Sequence, residues 1–218
     1  MQGFKTENMF LYKYLKKEYA YRMLEFGDIK LGTAYEYRSY EDIARRDIDE
    51  ATRTLVSKID IPLYANKQNQ LPGIFSSIIK INDGSIILEN CIAERKENYP
   101  DVYIYCCTSS FDDKAMKSFD CDSCIVIKDV PKFVNCIRSN LETFFRKVET
   151  FSEPCKYDGK KVPFGSKNSP YFIKDKSFEY QEEYRLIFRP KNLVEFRPLS
   201  PFFLRCPDLL SCIELYQS

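Results

Sequence analysis

The segment KSFEYQEEYRLIF, residues 176–188, places several acidic and amide side chains directly before an apolar run that predicts a β-strand. Side chains alternate along a strand, so Gln181 and Glu183 should share one side while Glu182 points to the other. A carboxylate beside an amide can hydrogen-bond the hydroxyls of a sugar. We interpret Glu183 and Gln181 as candidate catalytic residues. The alternative is an ion pair at a sheet edge between Glu183 and a cation such as Arg185.

Hydroxyls and cations elsewhere in the chain could complete such a site. Thr108-Ser109-Ser110 ends a predicted strand, and its hydroxyls could hold the Glu183 carboxylate in place. Lys13 or Arg38, near the N-terminal strands, could pair with a phosphate. The sequence therefore predicts a site assembled from three separate parts of the chain.

A second group of charges lies between residues 39 and 57, where basic and acidic side chains crowd together. If this segment is a helix, Asp47 and Glu50 share one face at i and i+3 and could bind a divalent cation. The alternative is a solvated helix face with ion pairs. The sequence does not decide between the two.

The chain contains no histidine. This excludes serine–histidine and cysteine–histidine nucleophile pairs and histidine metal sites. Acid–base chemistry near neutral pH would depend on carboxylates, lysine, tyrosine or cysteine. The chain also lacks the GxxxxGK[ST] and GxGxxG motifs, and its seven glycines are scattered, so a glycine-rich phosphate loop is not expected.

The overall composition predicts a cytoplasmic protein with a packed core. The net charge is +1 over 218 residues, and no run approaches the ~20 apolar residues of a membrane span. The nine cysteines are interpreted mainly as reduced core thiols, because several lie in apolar strand-like segments. The pair Cys121 and Cys124 has CxxC spacing, but no second such pair exists to complete a zinc site.

The periodicity of apolar residues predicts one α+β domain over residues 1–218, with mixed or antiparallel strand-rich sheets and a few helices. Residues 8–15 predict a strand, and residues 17–26 a helix that ends at Gly27 in the left-handed conformation. Residues 74–90 predict a hairpin around Asn82-Asp83-Gly84, and residues 58–100 could form an insertion that contains it. A long helix should begin at Pro131, with Phe144 and Val148 on its inner face.

These motifs resemble a family of uncharacterised bacterial and phage proteins linked to abortive phage infection. The family opens with a YKY strand, here Tyr12-Lys13-Tyr14, and closes on Lys-x-x-x-aromatic-x-x-Glu-x-Glu-aromatic-Arg. The matching closing residues run from Lys174 to Arg185, with Gln181 in place of the first Glu. The resemblance implies a role in phage defence.

More distantly, the layout resembles ADP-ribosyltransferases, and that resemblance implies NAD as the substrate and no metal. It implies that Glu183 holds the ribose hydroxyls and stabilises an oxocarbenium-like state, that Gln181 orients the acceptor, and that Ser109 braces Glu183. The implied NAD-binding residues are Tyr12, Lys13, Arg38, Thr108 and Arg185. The implied acceptor side is lined by Arg45, Arg46, Asp47 and Glu50.

Two other functions remain open from the sequence. One is a non-catalytic interaction protein that senses a nucleotide or a partner. The other is a metal-dependent nucleic-acid enzyme that uses Asp47 and Glu50. The expected partners are a nucleotide and a protein or nucleic-acid acceptor, without a membrane.

Overall fold

A computed structural model describes residues 9–41, 46–191 and 197–217 of the chain. Within them the strands are β1 (Leu11–Leu15), β2 (Asp28–Thr33), β3 (Thr52–Ile59), β4 (Leu63–Asn66), β5 (Ser85–Leu88), β6 (Cys91–Asn98), β7 (Tyr103–Thr108), β8 (Ser123–Ile127), β9 (Val148–Pro154), β10 (Lys161–Pro163), β11 (Glu183–Pro190), β12 (Phe202–Arg205) and β13 (Ile213–Leu215). The α-helices are α1 (Lys17–Phe26), α2 (Ala34–Arg38), α3 (Phe75–Ile78), α4 (Asp113–Ser118) and α5 (Val130–Leu141). Short 3₁₀-helices span Pro170–Phe172, Lys176–Gln181 and Pro207–Ser211.

The main sheet is organised around β7. One edge of β7 pairs along its whole length with β11, which in turn pairs with β9. The other edge is shared, because β2 pairs near Tyr103 and β1 pairs at Thr108. Beyond these strands, β12 pairs with β2, and β8 and β13 follow β1. All of these pairings are antiparallel, and the expected α+β architecture with strand-rich, mostly antiparallel sheets and few helices is confirmed.

Two helices cover one face of the main sheet and form the largest core cluster with it. Helix α1 contributes Ala20 and Met23, which are almost fully buried, and α5 contributes an apolar stripe around Phe133 and Ile137. Helix α1 has the bounds that its sequence predicts, and Gly27 follows it with φ 70° in the left-handed region. The Gly27 N–H bonds the Met23 carbonyl, which closes the helix end.

Helix α5 is shorter than the pattern of aromatic residues predicts. Asp129 caps its N-terminus and Pro131 lies in its first turn, as expected, but the helix ends at Leu141. Phe144 is 65% exposed, so its predicted place on the inner face is wrong. Val148 is buried, but it begins strand β9 because pairing with β11 is available there.

The expected hairpin over residues 74–90 is also wrong. Strand β5 pairs with β4, on the far side of α3, and Asn82-Asp83-Gly84 only leads into β5. The physical reason is that tertiary packing overrides local propensity: Ile74 and Phe75 are buried in a second core cluster. That cluster lies against a separate sheet in which β3 pairs with β6 and β10.

The second face of the main sheet carries a third core cluster, centred on Ile104 and Ile187. Three irregular parts of the chain cover it: helix α2 with the turn that follows, residues 99–102, and residues 170–173. The sequence of residues 28–38 predicts one continuous strand, which is wrong: β2 ends at Thr33, because a capping box at Thr33 starts helix α2. This covered face holds the polar residues described next.

The nine cysteines are free thiols, and six of them are buried, as the composition suggests. Within the described ranges, no helix is long and apolar enough to cross a membrane.

Candidate functional site

Three of the candidate residues lie in one row across the main sheet. Glu183 of β11 is opposite Thr108 of β7, and Thr108 is opposite Tyr12 of β1. Residues directly opposite each other on antiparallel strands project from the same face. The structure therefore brings Tyr12, Thr108 and Glu183 together, although they are distant in sequence.

Glu183 is enclosed rather than open to a cleft, since only 6% of the residue is exposed. Its Oε2 accepts a hydrogen bond from Lys174 Nζ at 2.6 Å, and its Oε1 accepts one from Arg185 Nε at 2.6 Å. The backbone N–H of Glu183 donates a hydrogen bond to the Tyr157 hydroxyl. Both carboxylate oxygens are therefore engaged by cations, and burial keeps a sugar hydroxyl from reaching them unless the surrounding side chains move.

Gln181 and Glu183 point to the same side, as the sequence predicts. Gln181 Oε1 accepts a hydrogen bond at 2.6 Å from the same Lys174 Nζ that bonds Glu183. Lys174 is 4% exposed and is the first residue of the closing motif, but the sequence assigned it no role. Its position at the head of that motif was the one signal that could have identified it.

Arg185 joins this group to a distant part of the chain. It is 2% exposed, and its Nη1 and Nη2 donate to the two oxygens of Glu50 at 2.7 and 2.8 Å. Nη1 also donates to the Tyr171 carbonyl. Arg185 was expected to bind a cofactor, yet these contacts occupy it within the protein interior.

Asp47 and Glu50 are not on a solvated helix face, so that expectation is wrong. Both are buried, and the Glu50 N–H donates to the Asp47 carbonyl in a turn. Asp47 Oδ2 lies 3.1 Å from Lys160 Nζ. We call the following six residues the buried ionic cluster: Asp47, Glu50, Lys160, Lys174, Glu183 and Arg185.

The buried ionic cluster contains three carboxylates and three cations, so its formal charges cancel. In the parts of the chain that the structure describes, no group of three or more Asp, Glu or Cys is placed to hold a metal ion. A cation bound at Glu50 would have to compete with the two bonds from Arg185.

The pKa values of the three carboxylates in the buried ionic cluster are shifted in different directions. Burial would raise the pKa of Glu183, but the charges of Arg185 and Lys174 outweigh burial and lower it. The pKa of Glu50 is lowered in the same way, chiefly by Arg185 against burial. Burial and the nearby charge of Glu50 instead raise the pKa of Asp47.

These opposite shifts predict opposite effects on acid stability. Glu50 contributes stability above its unfolded pKa of about 4.3 and loses it as the pH falls. Asp47 has a raised pKa, so its contribution becomes more favourable as the pH falls toward that value. We expect Glu50→Gln to flatten the loss of unfolding free energy between pH 7 and pH 3.5, and Asp47→Asn to steepen it. Urea unfolding across this range measures both, and equal slopes in the two variants would contradict the assignment.

The hydroxyl triplet does not brace Glu183, which corrects the expectation for Ser109. The Thr108 and Ser109 hydroxyls lie 3.2 and 3.5 Å from the backbone carbonyl oxygen of Glu182 and donate to it. Ser110 Oγ donates to the Glu182 carboxylate. Glu182 is exposed and has φ 41°, in the left-handed region. The hydroxyls therefore contact Glu182, which the sequence predicted to point away from the site, and not Glu183.

The candidate phosphate-binding cations are separated from Tyr12. Lys13 projects to the opposite face of β1, where its Nζ donates to the Cys106 carbonyl at 2.7 Å and lies over the Tyr105 ring. Arg38 ends helix α2 and donates to the Glu50 carbonyl and to Asn98. Neither is placed beside the row of Tyr12, Thr108 and Glu183.

Of the two basic residues predicted for the acceptor side, the structure describes only Arg46. Arg46 is exposed on the loop that leads to Asp47. Arg45 lies outside the described residues.

Aromatic rings surround the exposed end of the row. Tyr12 lies 5.8 Å from Tyr216 and 6.4 Å from Phe111, measured between ring centroids. Phe111 and Tyr216 stack at 4.2 Å. We call Tyr12, Phe111 and Tyr216 the aromatic patch, and all three are half-buried. The sequence analysis missed Phe111 and Tyr216 because aromatic residues in strands and loops are usually core residues.

Comparison with models of known protein families, with curated proteins and with solved structures finds no match for this chain.

Proposed function

We propose that this protein binds a nucleotide, with NAD as the first candidate, where the ends of β1, β7 and β11 meet. The row of Tyr12, Thr108 and Glu183 is the observation that carries the proposal. It combines an aromatic ring, a hydroxyl and an ionised carboxylate at one place on the sheet. The proposed setting is phage defence, on the strength of the closing motif from Lys174 to Arg185.

Transfer of ADP-ribose from NAD to a nucleophilic group of a macromolecule is the proposed reaction, with nicotinamide as the leaving group. Cleavage of the bond between ribose and nicotinamide requires stabilisation of positive charge on the sugar, which a fixed carboxylate supplies by electrostatics. Glu183 is held ionised for this task, but Lys174 must release Oε2 before a ribose can reach it. The arrangement described here is therefore a resting state of the proposed enzyme.

A non-catalytic nucleotide sensor is the second candidate, and one observation favours it. Both oxygens of Glu183 are engaged by cations of the same chain. In that case the buried ionic cluster only stabilises the fold, and the ligand contacts the aromatic patch and the hydroxyls at the surface.

Titration with NAD tests the proposal and separates the two candidates. Binding is measured by calorimetry, and nicotinamide release is measured by chromatography, for wild type, Tyr12→Leu and Glu183→Gln. We expect wild type to bind NAD and Tyr12→Leu to bind it at least about fivefold more weakly, because a ring contact contributes about 1 kcal/mol. Glu179→Gln, an exposed carboxylate on the adjoining 3₁₀-helix, is the matched control and should bind as wild type does.

The outcomes separate the candidates. Release that disappears in a folded Glu183→Gln variant supports transfer, and binding without release supports the sensor. No binding by wild type overturns the proposal of nucleotide binding. Far-UV circular dichroism verifies that each variant is folded, which matters most for Glu183→Gln because that residue is buried.

A further inference from the structure

Glu182 has an unusual backbone conformation for its residue type. Its φ of 41° and ψ of 44° are left-handed, a region that costs a residue with a side chain about 1–2 kcal/mol relative to right-handed backbone. Strained residues of this kind cluster at functional sites. The conformation has a clear local consequence, because it projects the Glu182 carboxylate outward while Glu183 turns into the buried ionic cluster.

Three hydroxyls hold Glu182 in this position. Thr108 and Ser109 donate to its carbonyl, and Ser110 donates to its carboxylate. A carboxylate that is exposed at the surface normally moves freely among rotamers, which costs entropy when it is fixed. Glu182 is already restrained by its neighbours, so less of this entropy is lost when a ligand binds.

Ser110 connects the restrained carboxylate to the aromatic patch. Ser110, which bonds the Glu182 carboxylate, is followed directly in sequence by Phe111. The Tyr14 hydroxyl bonds the Ser110 carbonyl, and the Tyr14 ring meets Phe111 edge to face at 6.0 Å. Burial raises the pKa of Tyr14 to about 12, and the charge of Glu182 is among the further causes.

The local charge favours a cation. Among the described residues, no lysine or arginine nitrogen lies within ion-pair distance of the Glu182 carboxylate. Two cations of this part of the sheet are used elsewhere: Lys13 bonds a carbonyl on the other face of β1, and Lys128, which follows β8, pairs with Glu214 at 2.7 Å. Aromatic faces attract organic cations through their quadrupole, and an adjacent carboxylate adds direct electrostatic attraction.

We infer that Glu182 and the aromatic patch form a binding site for an organic cation. This inference rests on the proposed nucleotide binding for its particular ligand, since the oxidised form of NAD carries a positively charged nicotinamide ring. The reduced form carries an uncharged ring and lacks this attraction. The surface carboxylate that meets the nicotinamide ring is then Glu182, whereas the proposed contact of Glu183 is with the ribose.

The 1-methylnicotinamide cation tests the site without the rest of the nucleotide. Its methyl proton resonance is followed by NMR during titration with the protein, because stacking on aromatic faces shifts it upfield. We expect saturable binding to wild type and a loss of affinity of about fivefold in Glu182→Gln, because this variant removes the direct attraction between the carboxylate and the cation, about 1 kcal/mol at contact distance. Glu179→Gln should match wild type, and neutral nicotinamide should bind more weakly than the cation.

The outcomes distinguish this inference from the proposed function. Equal binding of the cation to wild type and Glu182→Gln, or equal binding of cationic and neutral rings, overturns the inference. If NAD also binds in that case, nucleotide binding stands without it. If the cation binds as expected but NAD does not, the cation site stands and the proposed nucleotide ligand is wrong. Phe111→Leu gives a second check, because it weakens stacking without altering the carboxylate or the backbone at position 182.

Discussion

The Arg185→Met substitution should lower the free energy of unfolding by about 3–5 kcal/mol, the range observed when one partner of a buried ion pair is removed. Arg185 is the cation shared by Glu50 and Glu183, and it also bonds the Tyr171 carbonyl. Methionine fills much of the same space but leaves two carboxylates in the interior without this partner. Urea unfolding followed by far-UV circular dichroism measures the difference.

Arg189→Met is the matched control, because it is the same substitution four residues further along β11. Arg189 pairs with Glu149 at the surface, and its side chain is 43% exposed. Exposed ion pairs contribute about 0–1 kcal/mol, so we expect a change no larger than that. If Arg185→Met costs no more than Arg189→Met, the buried ionic cluster does not stabilise the fold. Arg185→Lys keeps the charge but not the bidentate geometry, and it gives a measurable intermediate if the methionine variant is too unstable.

The loss of unfolding free energy caused by Arg185→Met should also depend on pH, and its direction can be predicted. Burial raises the pKa of Glu50 and Arg185 is the largest cause that lowers it, so we expect the substitution to move this pKa upward. A raised carboxylate pKa makes folding more favourable as the pH falls. We therefore expect the difference from wild type to be smaller at pH 5 than at pH 8, whereas a loss of packing alone would be the same at both.

The second large effect is expected for Gly27→Ala, which should cost about 2–5 kcal/mol. A Cβ at this position would lie 2.1 Å from the Cys206 carbonyl oxygen and 2.5 Å from its carbonyl carbon. The left-handed backbone costs about 1–2 kcal/mol for alanine, and forcing apart two packed backbones adds about 1–3 kcal/mol. The Cys206 N–H also bonds the Gly27 carbonyl, so any shift disturbs the join between α1 and β12.

Gly84→Ala separates the two causes. Gly84 also has a positive φ, of 76°, but an added Cβ would meet no atom within 4 Å. This variant should therefore show only the backbone cost of about 1–2 kcal/mol. Thermal or urea unfolding of both variants gives the comparison. Equal losses of unfolding free energy in the two variants would mean that the close contact with Cys206 adds no cost, because the end of α1 can shift to relieve it.

Local patterns were sufficient for the elements whose apolar period agrees with their packing. Helix α1 and strand β11 have such patterns, and Gly27 ends α1 because a left-handed residue is required there. Gln181 and Glu183 lie on one side as predicted, but not by strand alternation: Gln181 ends a 3₁₀-helix, Glu182 is left-handed, and both side chains bond Lys174 Nζ. Where tertiary pairing competes with local propensity, the prediction from sequence was wrong. Val148 continues an apolar helical pattern, yet it pairs with β11 as a strand residue.

The candidate site shows the same division. The sequence by itself determined which groups are available for chemistry, because the absence of histidine leaves carboxylates, lysines and hydroxyls. Only the tertiary structure decided that Glu183 is enclosed and Glu182 exposed. The physical reason is that the partner of Arg185 is Glu50, 135 residues away, and no local pattern encodes a contact between segments so far apart in the chain.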